Sequence, residues 1–270
     1  MSVSVRLPAV AGRFYPDNPQ QLRQELLQYT QPAGEHLSAI GCIVPHAGYM
    51  YSGHVAGAVF ARLLLPRRHI ILCPNHTGMG QPLAIMSSGL WETPLGEARI
   101  DEELASALKA EFPSLREDAE AHLHEHALEV QLPFLQTLVP GFSFVPITVG
   151  VSRYDVLEEL GNCMADVLNR EGEPVLLVAS SDMNHYESDK VTRIKDRQAL
   201  DRVLELDPHG LYDVVTRQQV SMCGFGPAIA VITAAKRRGA TRAQLIKYAT
   251  SGDVSGDRAL VVGYAGVAVM

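Results

Sequence analysis

Histidine closes or anchors three short motifs in this chain: Pro45-His46-Ala47-Gly48-Tyr49, Pro74-Asn75-His76 and Ser181-Asp182-Met183-Asn184-His185. Neutral imidazole is the commonest protein metal ligand and also titrates near neutral pH, so these residues point to a metal or acid–base site. Pro45 ends an apolar run and fixes the turn, because proline has a set φ and no N–H. Gly48 is expected at φ > 0, bending the backbone behind His46. Cys73-Pro74-Asn75-His76-Thr77-Gly78 repeats the construction. Asp182, three residues before His185 on a tight loop, is expected to hold one ring nitrogen and set the tautomer, unless it merely caps the turn. The other nitrogen would then serve as ligand or general acid/base.

Other chemistry-bearing residues are weaker candidates. His126 and Glu129 stand three apart, on one face of a predicted helix over 126–138. Leu128 breaks the H-E-x-x-H pattern, which excludes a zincin metalloprotease. His122 and His124 read as solvent-exposed, and His54 as a structural helix residue. The four cysteines, Cys42, Cys73, Cys163 and Cys223, show no C-x-x-C spacing, so neither a zinc ribbon nor a thioredoxin motif is present. The first three fall inside predicted elements and read as small buried hydrophobes. Cys223 precedes Gly224-Phe225-Gly226-Pro227 and a helix, where the positive end of the dipole is expected to favour thiolate. Ser180 and Ser181 lack a G-x-S-x-G elbow, and no P-loop or G-x-G-x-x-G follows the first strand.

The elements that must carry these residues alternate along the chain. Predicted helices cover 19–29, 54–65, 101–110, 126–138, 154–169, 189–205, 208–216 and 228–238. Predicted strands cover 40–44, 70–73, 83–87, 144–149, 175–179, 244–249 and 260–269. Strands separated by helices of this length imply βαβ crossovers and an α/β fold with a mainly parallel sheet covered on both faces. Side chains leaving the carboxyl ends of such strands share one rim, where ligands bind. His46, His76 and His185 would therefore meet. No Pro/Gly/Ser-rich linker divides the sequence, so residues 1–270 read as a single domain.

Composition narrows the function classes. The chain has 270 residues, 47% apolar and 20% charged, with 23 basic against 30 acidic residues and a formal charge of −7. With no basic block, neither nucleic acid nor an anionic membrane surface is the expected partner. The longest apolar stretch, 259–270, is too short to span a bilayer. The first sixteen residues lack a basic-then-apolar leader pattern. A cytoplasmic protein is the expectation.

Taken in order, Ala11-Gly12-Arg13-Phe14-Tyr15-Pro16, the three histidine motifs, Thr93-Pro94-Leu95-Gly96 with Asp101, Glu125-His126-Ala127-Leu128-Glu129, Cys223-Gly224, Asp257 and Gly263-Tyr264-Ala265 form a pattern over the whole length. The pattern resembles the Memo family, known in bacteria and archaea as AmmeMemoRadiSam system protein B. That family is similar in fold to the class III extradiol dioxygenases: one three-layer α/β domain around a mixed, mainly parallel sheet. The resemblance implies metal ligands His46, His76 and Cys223, with His185 as the acid/base group and Asp182, His126 and Glu129 lining the same pocket. It implies iron or copper as cofactor, with zinc as a further candidate, and a thiolate where the dioxygenases use a carboxylate. A soft thiolate shifts metal preference and puts catechol ring cleavage in question. The activity implied is that of a dioxygenase-like oxidoreductase whose open metal face takes dioxygen, peroxide or an anionic ligand. A non-catalytic module binding a peptide or small molecule, and a zinc-assisted hydrolase, are the alternatives. The family's genomic company implies a functional link to a radical-SAM protein.

Overall fold

Among the described residues, strand pairing gathers the apolar runs into one twelve-stranded mixed sheet. The computed structural model of the protein describes residues 4–31 and 34–270. In chain order its elements are β1 (Val5–Arg6), α1 (Pro19–Tyr29), β2 (Gly41–Val44), α2 (Tyr49–Arg62), β3 (Arg68–Pro74), β4 (Leu83–Ile85), β5 (Leu90–Thr93), β6 (Gly96–Ile100), α3 (Glu102–Glu111), β7 (Arg116–Glu117) and α4 (Glu120–Leu123). A 3-10 turn over Glu129–Gln131 leads into α5 (Leu132–Leu138). Then come β8 (Ser143–Val149), α6 (Tyr154–Leu168), β9 (Val175–Ser180), β10 (His185–Glu187), α7 (Asp189–Leu204), α8 (Pro208–Arg217), α9 (Phe225–Arg237), β11 (Ala243–Thr250), α10 (Ser251–Ser255) and β12 (Val261–Val269).

The centre runs β6-β8-β3-β9-β2 with every neighbour parallel. Antiparallel pairs β5/β6, β4/β8, β2/β12, β11/β12 and β10/β12, with the parallel edge pairs β1/β5 and β4/β7, complete it, so the fold is α/β with a mixed sheet. The central strands read as unbroken apolar runs because both faces are covered. Ile70 and Leu72 of β3 enter one core with α6, α7, α8 and α9, while Ile71 and Cys73 enter the other with α1, α2 and α5. The two-residue side-chain period thus feeds two cores from one strand. Helix starts follow local chemistry: Asn18 accepts from Gln20 N and Gln21 N to open α1, with Pro19 in the first turn. Among the described residues no helix is long and apolar enough to cross a membrane.

Several expectations change. The helix predicted over 126–138 is broken, and only 132–138 is α-helical. Pro133 cannot donate the bond that a helix begun at 126 would need from it. The Glu125 carboxylate also captures Ala127 N at 2.9 Å, which fixes a turn instead. His122 is fully buried against Trp91, not exposed; His124 is exposed. Strands β1, β5, β6, β7 and β10 had no counterpart among the predicted strands.

Candidate metal centre

Register brings the histidine motifs together. Val44 of β2 lies beside Ser180 of β9, and Leu72 of β3 lies beside Ala179. The chain therefore leaves β2 at Pro45, β3 at Asn75 and β9 at Ser181 along one rim. Cys223 comes from the segment just before α9. Gly224 N donates to Ser181 Oγ at 3.0 Å, and a Cβ on Gly224 would stand 2.4 Å from Ser180 O. Only glycine lets the backbone dock that closely, and this docking carries Cys223 to the rim.

Cys223 Sγ lies 3.2 Å from His46 Nε2, and the His46 and His76 rings stand 5.2 Å apart, edge to face. Donor atoms of His46, His76 and Cys223 all fall within 4.8 Å of one another. A cleft of about 520 Å³ opens over them, lined also by Phe14, Asp182, His126 and His185. His46 is buried, while His76 stands at the exposed lip. His126 stacks on His76 at 4.8 Å and packs against Phe14.

Hydrogen bonds fix where the ring protons sit. Ser180 Oγ donates its one proton to Ala127 O at 2.5 Å and accepts from Gln131 Nε2 at 2.9 Å. Its 3.0 Å contact with His46 Nδ1 must then be an N–H donated by the ring, which leaves Nε2 bare and aimed at Cys223. His76 Nδ1 donates to Glu125 Oε1 at 2.9 Å, and His76 N donates to Glu125 Oε2 at 2.6 Å. His185 Nδ1 donates to the Ser221 carbonyl at 2.9 Å. In all three rings Nδ1 is spent internally; His46 Nε2 faces Cys223 Sγ, and among the described residues Nε2 of His76 and of His185 has no hydrogen-bond partner. Such outer partners orient metal-binding imidazoles and raise their basicity.

Burial sets the electrostatics. Burial, with the nearby His76, His126 and His185 rings adding to it, holds His46 far below its ordinary pKa and hence neutral. His126 is lowered by burial, against the pull of Glu125. Burial alone would raise Glu125, but the His76 hydrogen bond and neighbouring groups outweigh it and keep the carboxylate ionised. Asp182 is pushed up to about 6 by burial, opposed by the main-chain N–H groups of His46 and Ala47.

Placement of the candidates is thus specific. His46, His76, Cys223, His126, His185 and Asp182 share the cleft. Asp182 does not orient His185; its Oδ1 accepts from His46 N at 2.7 Å, and Ser221 holds the His185 ring instead. Glu129 lies outside the cleft lining. It is fully buried and accepts from Arg6, Ala9 N, Val10 N and the Tyr15 hydroxyl, because Arg6 supplies the closest cation. Burial, reinforced by Asp182, raises the Cys223 thiol, overriding the helix-dipole effect expected from its position. Gly48 has φ −53, not positive, and an added Cβ would meet nothing nearer than 3.6 Å. Sequence reasoning missed Glu125, Ser180 and Ser221. A signal for Glu125 was present: a carboxylate beside His126 in a segment that proline prevents from being one helix.

The family profile described as Memo-like protein matches residues 6–268. The chain belongs to the Memo family. A MEMO1 family protein of Methanothermobacter thermautotrophicus is 42% identical over 273 residues, covering 97% of this chain and 99% of the relative. A second, from Methanosarcina barkeri, is 41% identical over 267 residues, covering 98% of this chain and all of the relative. Among solved structures, an uncharacterized protein of Escherichia coli K12 superposes with a TM-score of 0.56 over 83% of this chain and 98% of its own. Its sequence identity is 14%, so it shares the fold alone.

Proposed function

We propose that this Memo-family protein is a metal-dependent redox protein in which His46, His76 and Cys223 hold iron or copper and His185 moves protons in the cleft. The observation that carries the reading is the convergence of two imidazoles and one thiol, with Nδ1 of both rings held by buried acceptors. The donor set fits a borderline or soft transition metal and leaves room for a further ligand. Bound there, iron or copper would supply one-electron chemistry at an open position, whereas zinc would supply a Lewis acid only.

The chain's own residues do the rest. Ser180 and Glu125 hold the Nδ1 protons of His46 and His76, so both rings present lone pairs without rearrangement. Asp182 accepts from His46 N and keeps that loop against β9. His185 keeps Nδ1 on Ser221 and has Nε2 available to take or return a proton. Phe14, packed at a tilt against His126, gives the cleft an apolar wall, and the cleft's volume suits a small molecule.

Dioxygen uptake by the iron(II)-loaded protein with ascorbate tests this directly. Uptake is expected above a metal-free control, with His185→Ala retaining the metal but losing most of the turnover. A loaded protein that consumes neither dioxygen nor reductant would be a binding module, and the redox reading would fall. Zinc occupancy with ester hydrolysis that depends on His185 would replace it with a hydrolase.

A further inference from the structure

We infer that Asn184 and Asp196 are positioning residues that hold His185 in one place and one tautomer from behind the cleft wall. The inference rests on the reading of His185 as the proton-carrying group and asks what fixes it there. Its own element cannot: β10 is three residues long, pairs with β12 through an irregular register, and holds Tyr186 at φ 59 in its middle. A non-glycine residue in the left-handed region persists only where surrounding structure enforces it.

The enforcement comes through Ser221. His185 N donates to Ser221 Oγ at 2.7 Å, and His185 Nδ1 donates to Ser221 O at 2.9 Å. Ser221 is in turn gripped by Asn184, whose Oδ1 accepts from Ser221 N and from Ser221 Oγ, each at 3.1 Å. Giving the hydroxyl proton to Asn184 leaves the Oγ lone pairs for His185 N–H. The Asn184 amide has one workable orientation. Its Nδ2 donates to Glu187 Oε2 at 2.8 Å and to Thr192 Oγ1 at 3.3 Å, and a flipped amide would turn its NH2 toward the Ser221 donors.

Behind Asn184 stands Asp196 of α7, also fully buried. Its Oδ1 accepts from Asn184 N at 2.8 Å, and its Oδ2 accepts from the Tyr248 hydroxyl of β11 at 2.6 Å. The β12 backbone is shaped around this carboxylate: a Cβ on Gly263 would stand 1.8 Å from Asp196 Oδ2. Gly263 also exchanges backbone bonds with Met183 and Asn184, closing the clamp from the sheet side. Neither Asn184 nor Asp196 lines the cleft. His46 and His76 take their support elsewhere, from Ser180 and Glu125, so the two systems are separable.

Separability sets the test. Long-range 1H–15N NMR of the full-length, zinc-loaded protein reads the tautomer of each histidine, beside metal content for every variant. Wild-type His185 is expected as a single Nδ1–H form. Asn184→Ala should convert it to a mixture rich in the Nε2–H form, while His46 and His76 and the metal content stay as in wild type. Ser221→Ala, at an exposed position where folding is not at stake, should give the same change to a smaller extent. Asp196→Asn keeps an oxygen for Asn184 N and should restore wild-type behaviour, whereas Asp196→Ala should not. A His185 that stays in one Nδ1–H form in both Asn184→Ala and Ser221→Ala overturns the inference, even if Asn184→Ala lowers the melting temperature. Failure of the redox reading would show instead as absent dioxygen uptake in wild type, with the tautomer results standing.

Discussion

Glu125 and Glu129 are four residues apart, both almost fully buried, and they serve opposite ends of the molecule's business. Glu125 faces imidazole: it takes the main-chain N–H and the ring N–H of His76 and thereby shapes the rim of the cleft. Glu129 faces guanidinium: it pairs with Arg6 and gathers Ala9 N, Val10 N and the Tyr15 hydroxyl, pinning the N-terminal segment onto the fold. Arg6 also reaches His122 O and Glu125 O and lies 4.3 Å over the Trp91 ring. A buried carboxylate becomes part of a reactive site or part of the scaffold according to which cation or N–H donor the fold sets beside it, and sequence neighbourhood does not say which.

The largest effect that separates the two should come from Glu129→Ala. It strands Arg6 as a buried unpaired charge, and breaking such a pair costs about 3–5 kcal/mol. Urea unfolding should register that loss while metal per folded chain stays constant. Glu125→Ala should do the reverse, weakening metal affinity by roughly 10–100-fold through the freed His76 ring. A metal titration with a chelator competitor checks it; equal metal loss in both variants would erase the distinction.

A smaller effect, dependent on pH, belongs to the scaffold side. Both ring nitrogens of His122 lack a hydrogen-bond partner among the described residues, and burial first, then Arg6, lowers its pKa to about 3. A folded-state pKa below the unfolded value of 6.5 gives stability that is complete above pH 6.5 and is lost as pH falls toward 3. At pH 5 the loss from this one residue is about 2 kcal/mol. Asp182 and Asp196, raised by burial to about 6 and about 7, act in the opposite sense, so the comparison must be between His122→Leu and wild type. Between pH 7 and pH 5 the variant should gain about 2 kcal/mol relative to wild type in denaturant melts. The smallest effect is Gly48→Ala beside His46. With φ at −53 and room for a methyl group, it should shift stability by no more than about 0.5 kcal/mol and leave metal content unchanged.

Legibility in the sequence tracks burial and range. β2, β3, β8 and β9 were readable because both faces are covered and their residues form continuous apolar runs. β1, β7 and β10 were not, being two or three residues long with no buried apolar run, unlike the equally short but fully buried β4. The hairpin β5/β6 hides in Thr93-Pro94-Leu95-Gly96, where Gly96 takes φ 112 to close the turn. His46, His76 and His185 could be placed on one rim because strand ends in a parallel sheet share an edge. The partners that fix their rings could not, since Ser180, Glu125 and Ser221 act across 134, 49 and 36 residues. Asp182 shows the hazard of reasoning by proximity: three residues from His185, it hydrogen-bonds the His46 backbone instead.

Elemental analysis of anaerobically purified protein, run beside His46→Ala and Cys223→Ser, decides whether these residues hold a metal. Close to one equivalent of iron or copper per wild-type chain is expected, with near-complete loss in both variants and folding intact by circular dichroism. A wild-type protein that holds no transition metal, or variants that keep it, would contradict their assignment as ligands.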